Sequence, residues 1–193
     1  MGERCGWVGN SDIYIDYHDH EWGVPLHDGR ALFEMLILEG FQAGLSWITI
    51  LNKRAAFRDA FAGFDPDIIA EWGPDHVEKL LQNPGIVRHR GKIEGAITGA
   101  RAWQRIEADQ GFARFIWAFV DGVPIQNRFA SLADVPAKTP VSERMAKGLK
   151  AEGFKFCGPT ITYAFMQAVG MVNDHLITCP RHAQVAAIPA ARQ

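Results

Sequence analysis

The sequence has no apolar run approaching the ~18 residues of a membrane span, and its first residues carry no basic segment followed by an apolar stretch. Both absences argue against a membrane or secreted protein. Cysteine is scarce, with three residues in 193, an odd count that offers no complete disulfide framework. A reduced, cytoplasmic protein is therefore expected. Charge of one sign is also missing, because 20 Lys and Arg against 22 Asp and Glu leave a formal net charge of −2. That is too little to wrap nucleic acid by bulk attraction, although a local basic patch fits within a near-neutral total. Repeats, low-complexity tracts and sustained period-two alternation are absent too, which removes solenoids and most β architectures.

Aromatic residues are present in quantity: six Trp, twelve Phe and three Tyr in a chain that is 48% hydrophobic. They supply core volume and flat surfaces for stacking. The length suits one helical domain of two lobes over residues 1–183, followed by an alanine-rich flexible tail at 184–193, with a monomer as the default state. Asp28 caps a helix with Leu32, Phe33, Leu36 and Ile37 on one face, and Gly40 is expected to end or loosen it. Further helices are read from Ser46, from Asp65-Pro66, over 75–82, across Ile93 to Trp103, from Phe112, from Thr139-Pro140 and from Pro159.

Three groups of residues could carry chemistry. Cys5 and His18 near the start are answered by His175 and Cys179 near the end, enough for one tetrahedral Zn2+ that staples the termini together. The step from His175 to Cys179 would place both on one face of a helical turn. His20, His27 and His182 compete as ligands, and a buried free cysteine is commonplace. Four protein ligands leave no position for a catalytic water, so such a metal would hold structure.

The second group is the turn and basic run from Asn83 to Lys92, where Gly85 precedes Arg88, Arg90 and Lys92. Backbone N–H groups at a helix start beside basic side chains suit phosphate, so a helix-hairpin-helix would hold a nucleic-acid backbone. The alternative is a solvated hairpin. The third group surrounds Glu39, a carboxylate at the end of an apolar run, followed by Trp47. In an aromatic pocket it could accept from a ligand's N–H while rings stack on a flat, electron-poor group; otherwise it faces solvent. The stretch from Tyr14 to Pro25, which includes Tyr17 and Trp22, would be aimed at that pocket by the neighbouring metal, or fill core beneath the termini.

Five separated strings, around Cys5–Val8, Tyr17–Pro25, Leu38–Trp47, Gly85–Ile93 and Met171–His175, together resemble the bacterial DNA-3-methyladenine glycosylase I family over residues 3 to about 182. The resemblance implies an all-α helix-hairpin-helix DNA glycosylase fold in which a structural zinc joins the N- and C-terminal segments. It places the zinc on Cys5, His18, His175 and Cys179, the base pocket on Tyr14, Tyr17, Trp22, Glu39 and Trp47, and the DNA-probing turn on Gly44 and Leu45. The partner it implies is double-stranded DNA carrying alkylated bases, with hydrolytic excision of 3-methyladenine as the reaction.

Where bifunctional relatives carry a Schiff-base lysine, this sequence has His89, and Lys92 is out of place for that role. No strand cleavage is therefore expected. A zinc deaminase is the enzymatic rival, but its H-x-E with P-C-x-x-C signature is missing. A damage-sensing module without turnover is the other.

Overall fold

The structure, a computed structural model, describes residues 3–189. Among them are ten α-helices: α1 Asp12–His20, α2 Gly29–Gln42, α3 Trp47–Ala60, α4 Pro66–Ala70, α5 Pro74–Leu81, α6 Arg90–Asp109, α7 Phe112–Trp117, α8 Pro140–Ala151, α9 Pro159–Ala168 and α10 Pro180–Ala186. The only sheet among the described residues is a two-residue parallel pair, β1 Ile125–Gln126 against β2 Val172–Asn173. The protein is mostly helical, as expected.

α2 is the axis on which the rest is assembled. Asp28 caps it by accepting from the Ala31 N–H (2.8 Å), and almost every side chain from Leu32 to Phe41 is buried. A helix apolar on nearly all sides belongs in the middle of a bundle. Here α2 packs against α3, α6 and α9. The indole N–H groups of Trp103 and Trp117 donate to the carbonyls of Gly29 and Leu26, pinning the entry to the helix.

Gly40 does not end α2, which continues to Gln42. A side chain there would meet Phe156 at 3.5 Å, so the glycine provides a close helix-to-loop approach. Gly170, with φ of 71°, is tighter still: a Cβ would fall 2.4 Å from the backbone of Val24 and Pro25. That contact sets the strand after α9 directly against the segment that follows α1.

The block from Tyr14 to His20 lies in a helix, α1, that was not among the helices read from the sequence. Only Tyr17 and His18 of α1 are buried. An apolar stripe never develops because the helix shows its neighbours histidine and tyrosine, which hides it from a periodicity reading. At the other end, α10 runs through residue 183 to Ala186 with Val185 buried, so the start of the expected tail is ordered helix. Residues 190–193 lie outside the described residues. One large core runs through α2 to α9, and a second, small one gathers Cys5, Val8, Leu176 and Cys179 from the two ends.

Candidate functional site

The small core is also a donor cluster. Cys5 Sγ, His18, His175 and Cys179 Sγ are buried, and one ligand atom from each lies within 4.8 Å of the others. Cys5 Sγ is 3.7 Å from His175 Nδ1, and Cys179 Sγ is 3.6 Å from His18 Nε2 and 3.9 Å from His175 Nδ1. Tetrahedral bonds of about 2.3 Å to sulfur and 2.0 Å to nitrogen would space such donors about 3.6 Å apart. The far nitrogens of both rings are also engaged: His18 Nδ1 with Asp19 Oδ1 (2.7 Å), and His175 Nε2 with the Trp22 carbonyl (3.0 Å). Each ring is thereby turned to offer its remaining nitrogen inward. Arg4 in turn grips Asp19 through two nitrogens, at 3.0 and 2.7 Å. Burial pushes the Cys5 thiol up to about 12 and His175 down to about 3. Two thiols and two neutral imidazoles in this geometry fit a zinc-type ion.

The convergence of His175 and Cys179 does not come from a helical face. Residues 175–179 form a turn, with the Cys179 N–H donating to the Leu176 carbonyl (2.8 Å). Pro180, at the first position of α10, starts the helix only after the cysteine. The competing histidines are occupied elsewhere. His20 pairs with Asp16, His27 stacks on Trp117, and His182 Nε2 bonds the Asn127 carbonyl. Cys157 is buried near the Phe154 carbonyl.

Beside this cluster opens a cavity of about 340 Å³ whose walls include Trp7, Tyr14, Tyr17, Trp22, Glu39 and Trp47. All five expected pocket residues thus come together. Glu39 is 3% exposed and has no hydrogen-bond partner among the described residues; burial alone raises its carboxyl to about 8. The Trp47 Nε1–H is likewise buried, near the Tyr17 hydroxyl but without a hydrogen bond of good geometry. Leaving such groups without a partner costs about 1–3 kcal/mol each where they are cut off from water. They face Tyr17, whose ring lies 5.7 Å from that of Trp47 and whose hydroxyl burial holds well above the usual phenol range.

Tyr14 is partly committed elsewhere: its hydroxyl accepts from the Ile48 N–H (2.9 Å) and so caps α3, whose N-cap Ser46 makes no such bond. Trp22 joins the two sites. Its ring stacks on His18, meets His175 edge-on at 4.6 Å, and lines the cavity.

The family is established by comparison with known proteins. A profile described as methyladenine glycosylase matches residues 7–182. DNA-3-methyladenine glycosylase 1 of Escherichia coli (strain K12) is 50% identical over 178 residues, covering 92% of this chain and 95% of that protein. The chain belongs to the methyladenine glycosylase family. A crystal structure of 3-methyladenine DNA glycosylase I, 55% identical, superposes with a TM-score of 0.91 over 92% of this chain and 98% of that one. A second, of a variant in complex with 3-methyladenine, is 37% identical with a TM-score of 0.89, covering 92% and 96%.

Several walls of this cavity were not legible as such in the sequence. Trp7 packs against Tyr14 (5.4 Å) and Trp22 (5.1 Å), and its signal was its place in the Cys5–Val8 string, without a role attached. Asp174, next to His175, is buried in the wall and accepts from Tyr163, Gln167 and Asn127 at 2.6–2.8 Å. Leu132 and Val135 reach the cavity from a single 3-10 turn, Leu132–Asp134, and the residue after it, too short for a periodic signature.

At the end of α2, Gly44 adopts φ of 82° and Leu45, 41% exposed, projects from the turn. Gln42 fastens this turn twice, by its carbonyl to the Leu45 N–H (2.7 Å) and by its side-chain amide to the Leu45 carbonyl (2.8 Å). The hairpin joins α5 to α6, with the Gly85 N–H bonded to Asn83 Oδ1 and the Lys53 ammonium on the Pro84 and Gly85 carbonyls.

Its basic side chains are not equivalent. Arg88 is exposed. Arg90 is already paired with Glu78 (2.6 Å). Lys92 is not a surface cation at all: it is 8% exposed and donates to the carbonyls of Phe41 (2.9 Å) and Ala43 (2.6 Å). Its expected place against DNA phosphate is corrected, because the carbonyls at the end of α2 claim the ammonium first. His89, at the position considered for a Schiff-base lysine, caps α6 by accepting from the Lys92 N–H (3.2 Å).

Proposed function

We propose that this chain is a monofunctional DNA glycosylase that hydrolytically excises 3-methyladenine from alkylated double-stranded DNA and so begins base excision repair. The observation that carries it is Glu39: a carboxylate buried among aromatic rings, without a partner among the described residues, lining a cavity of about 340 Å³ that has room for a base. Methylation at N3 leaves adenine cationic on its sugar, so the glycosidic bond is weakened and the base departs neutral. The task is selection more than acid catalysis.

Trp47, Tyr17 and Trp22 offer faces that favour a cationic ring by roughly 0.5–2 kcal/mol. Glu39 accepts from the base's N–H edge and favours its charge, and Tyr17 lies beside it as the second polar contact. Leu45 fills the gap that the extruded nucleotide leaves, as apolar wedges do. The α5–α6 unit acts as a helix-hairpin-helix, with the Gly85 turn and Arg88 toward the backbone and Arg90 joining only by giving up Glu78. Water, not an amine of the protein, takes the sugar carbon, since Lys92 is held against carbonyls and His89 caps a helix.

One structural zinc is assigned to Cys5, His18, His175 and Cys179. Bound there, it supplies charge to hold two thiolates and no open coordination site. The chain acts as a single domain and a monomer. No helix among the described residues is long and apolar enough to cross a membrane, and the cytoplasm, where the DNA lies, is the proposed compartment.

The deciding experiment incubates purified protein with methylated duplex DNA, follows released base by chromatography and checks the strand for nicks. Free 3-methyladenine with unbroken abasic strands is expected. Folded, zinc-loaded protein that releases no base would leave a binding module, and nicked strands would refute monofunctional chemistry.

A further inference from the structure

Lys92 occupies the first turn of α6, where a cation would ordinarily reach for phosphate, yet its side chain runs inward. Its two acceptors are the Phe41 carbonyl, in the last turn of α2, and the Ala43 carbonyl, one residue beyond it. Those are carbonyls a helix leaves without internal partners, at the negative end of its dipole. Burying an ammonium is costly unless its hydrogen bonds are worth more elsewhere, and burial does lower the pKa of Lys92.

The surroundings are built to the same end. The Phe156 ring lies 5.9 Å beneath the ammonium, on a residue whose φ of 55° is in the left-handed region. That conformation is uncommon for a bulky side chain and persists where the neighbours enforce it. Around Phe156 stand Gly40 of α2 and Gly91 and Gly95 of α6, each close enough that a Cβ would touch it at 3.3–3.5 Å. The start of α6 is thereby locked to the end of α2. Two residues past the Phe41 carbonyl, and one before Gly44, Ala43 sits where the chain turns outward to present Leu45.

We propose that Lys92 is a positioning residue: by holding the Phe41 and Ala43 carbonyls it fixes the Gly44–Leu45 turn relative to the hairpin, so that gripping the DNA backbone aims the wedge at the base pair. The proposal rests on the glycosylase function given above. Glu39 lies upstream and is held by α2 itself, so reading of a free base does not depend on the ammonium.

Three properties of Lys92→Met are to be compared with wild type. They are single-turnover release of 3-methyladenine from methylated duplex, the salt dependence of affinity for a duplex with an abasic-site analogue, and affinity for free 3-methyladenine by tryptophan fluorescence. Release is expected to slow at least about tenfold, as small misplacements of a working group do. The salt slope and the free-base affinity should stay at wild-type values.

A salt slope smaller by about one would make Lys92 a phosphate contact and overturn the proposal. Release at the wild-type rate, or parallel loss of free-base binding, would overturn it as well. If Lys92→Met does not fold, Lys92→Gln, which keeps an uncharged NH2 donor group, carries the same readouts. Wild-type protein that releases no base would instead sink the glycosylase function itself.

Discussion

α1 serves two buried polar sites with opposite logic. From one side His18 enters the Cys/His cluster, where every ring nitrogen has something to bind or face and Asp19 and Arg4 stand behind it. From the other, Tyr14 and Tyr17 enter the cavity, where the Glu39 carboxylate and the Trp47 N–H have no partner. Both sites contain groups that a simple core would not tolerate. The first converges on a point and leaves room for an ion; the second diverges around a volume and leaves room for a molecule. In the proposed reading, the saturated site is the one that holds the fold and the incomplete one is the site that binds.

Breaking the saturated site should have the largest effect. Chelation, or Cys179→Ala, is expected to remove one equivalent of zinc and lower the melting temperature by about 10 °C or more, the size of a loss of several kcal/mol in a chain of this length. Metal analysis with calorimetry measures both. Because the large core from α2 to α9 does not include the cluster, unfolding should begin at the joined termini. Protein that contains no metal and melts unchanged in chelator would erase the distinction between the two sites.

The unsaturated site should show the reverse pattern. Glu39→Gln is expected to cost ten- to hundredfold in kcat/KM, the worth of a charged hydrogen bond of about 1.5–3 kcal/mol, while making the free protein more stable. The sign follows from proton binding. The folded carboxyl titrates at about 8 instead of 4.5, so between those values the folded state holds a proton that the unfolded chain has lost. Stability from this group is complete below pH 4.5 and declines as pH rises through 8. Wild type should therefore lose stability across that window relative to Glu39→Gln, seen in denaturant titrations at several pH values. For the same reason wild-type kcat/KM should rise with pH toward 8 as the ionised form is populated in the free protein. Parallel stability curves would mean that the carboxylate is not held unpaired.

Much of this was legible in the sequence because it is local. Asp28, Asp65-Pro66, Thr139-Pro140 and Pro159 announce helix starts through capping and fixed φ, and each stands where expected. The four residues of the Cys/His cluster and five that line the cavity were also named, with the family resemblance choosing among competing histidines. What escaped is what depends on partners far along the chain. α1 shows no apolar stripe, and the Cys179 turn looked like a helix face. Lys92 read as a surface cation because only the folded chain brings Phe41 and Ala43, about fifty residues away, to its ammonium.

An intermediate effect is expected behind the cluster. Asp19 fixes His18 without touching the proposed ion, and its carboxyl is held far below the usual range by Arg4 and His18. Asp19→Asn should weaken zinc about 10- to 100-fold, as loss of a ligand's supporting carboxylate does. Competition with a chromogenic chelator measures it. At saturating zinc, base release should remain near wild type, since the pocket walls are then restored. A loss of activity that zinc does not rescue would mean that the two sites are coupled through Asp19 directly.

The smallest effect tests whether incompleteness at the pocket is reserved for a ligand. Trp47→Phe removes the unpartnered indole N–H but keeps a ring to stack on. If that N–H waits for the ligand, its removal should weaken free 3-methyladenine binding by a few-fold, about 1 kcal/mol. Stability should barely change, because the relief of an unsatisfied donor offsets the volume lost from a half-buried ring. Combining it with Glu39→Gln separates the two groups. Independent contacts with the ligand give additive losses, whereas groups that fix the same atom give less than the sum. Isothermal titration of the four proteins measures the coupling. Unchanged affinity in Trp47→Phe with a clear loss of stability would turn Trp47 into ordinary core and leave Glu39 as the one group held open.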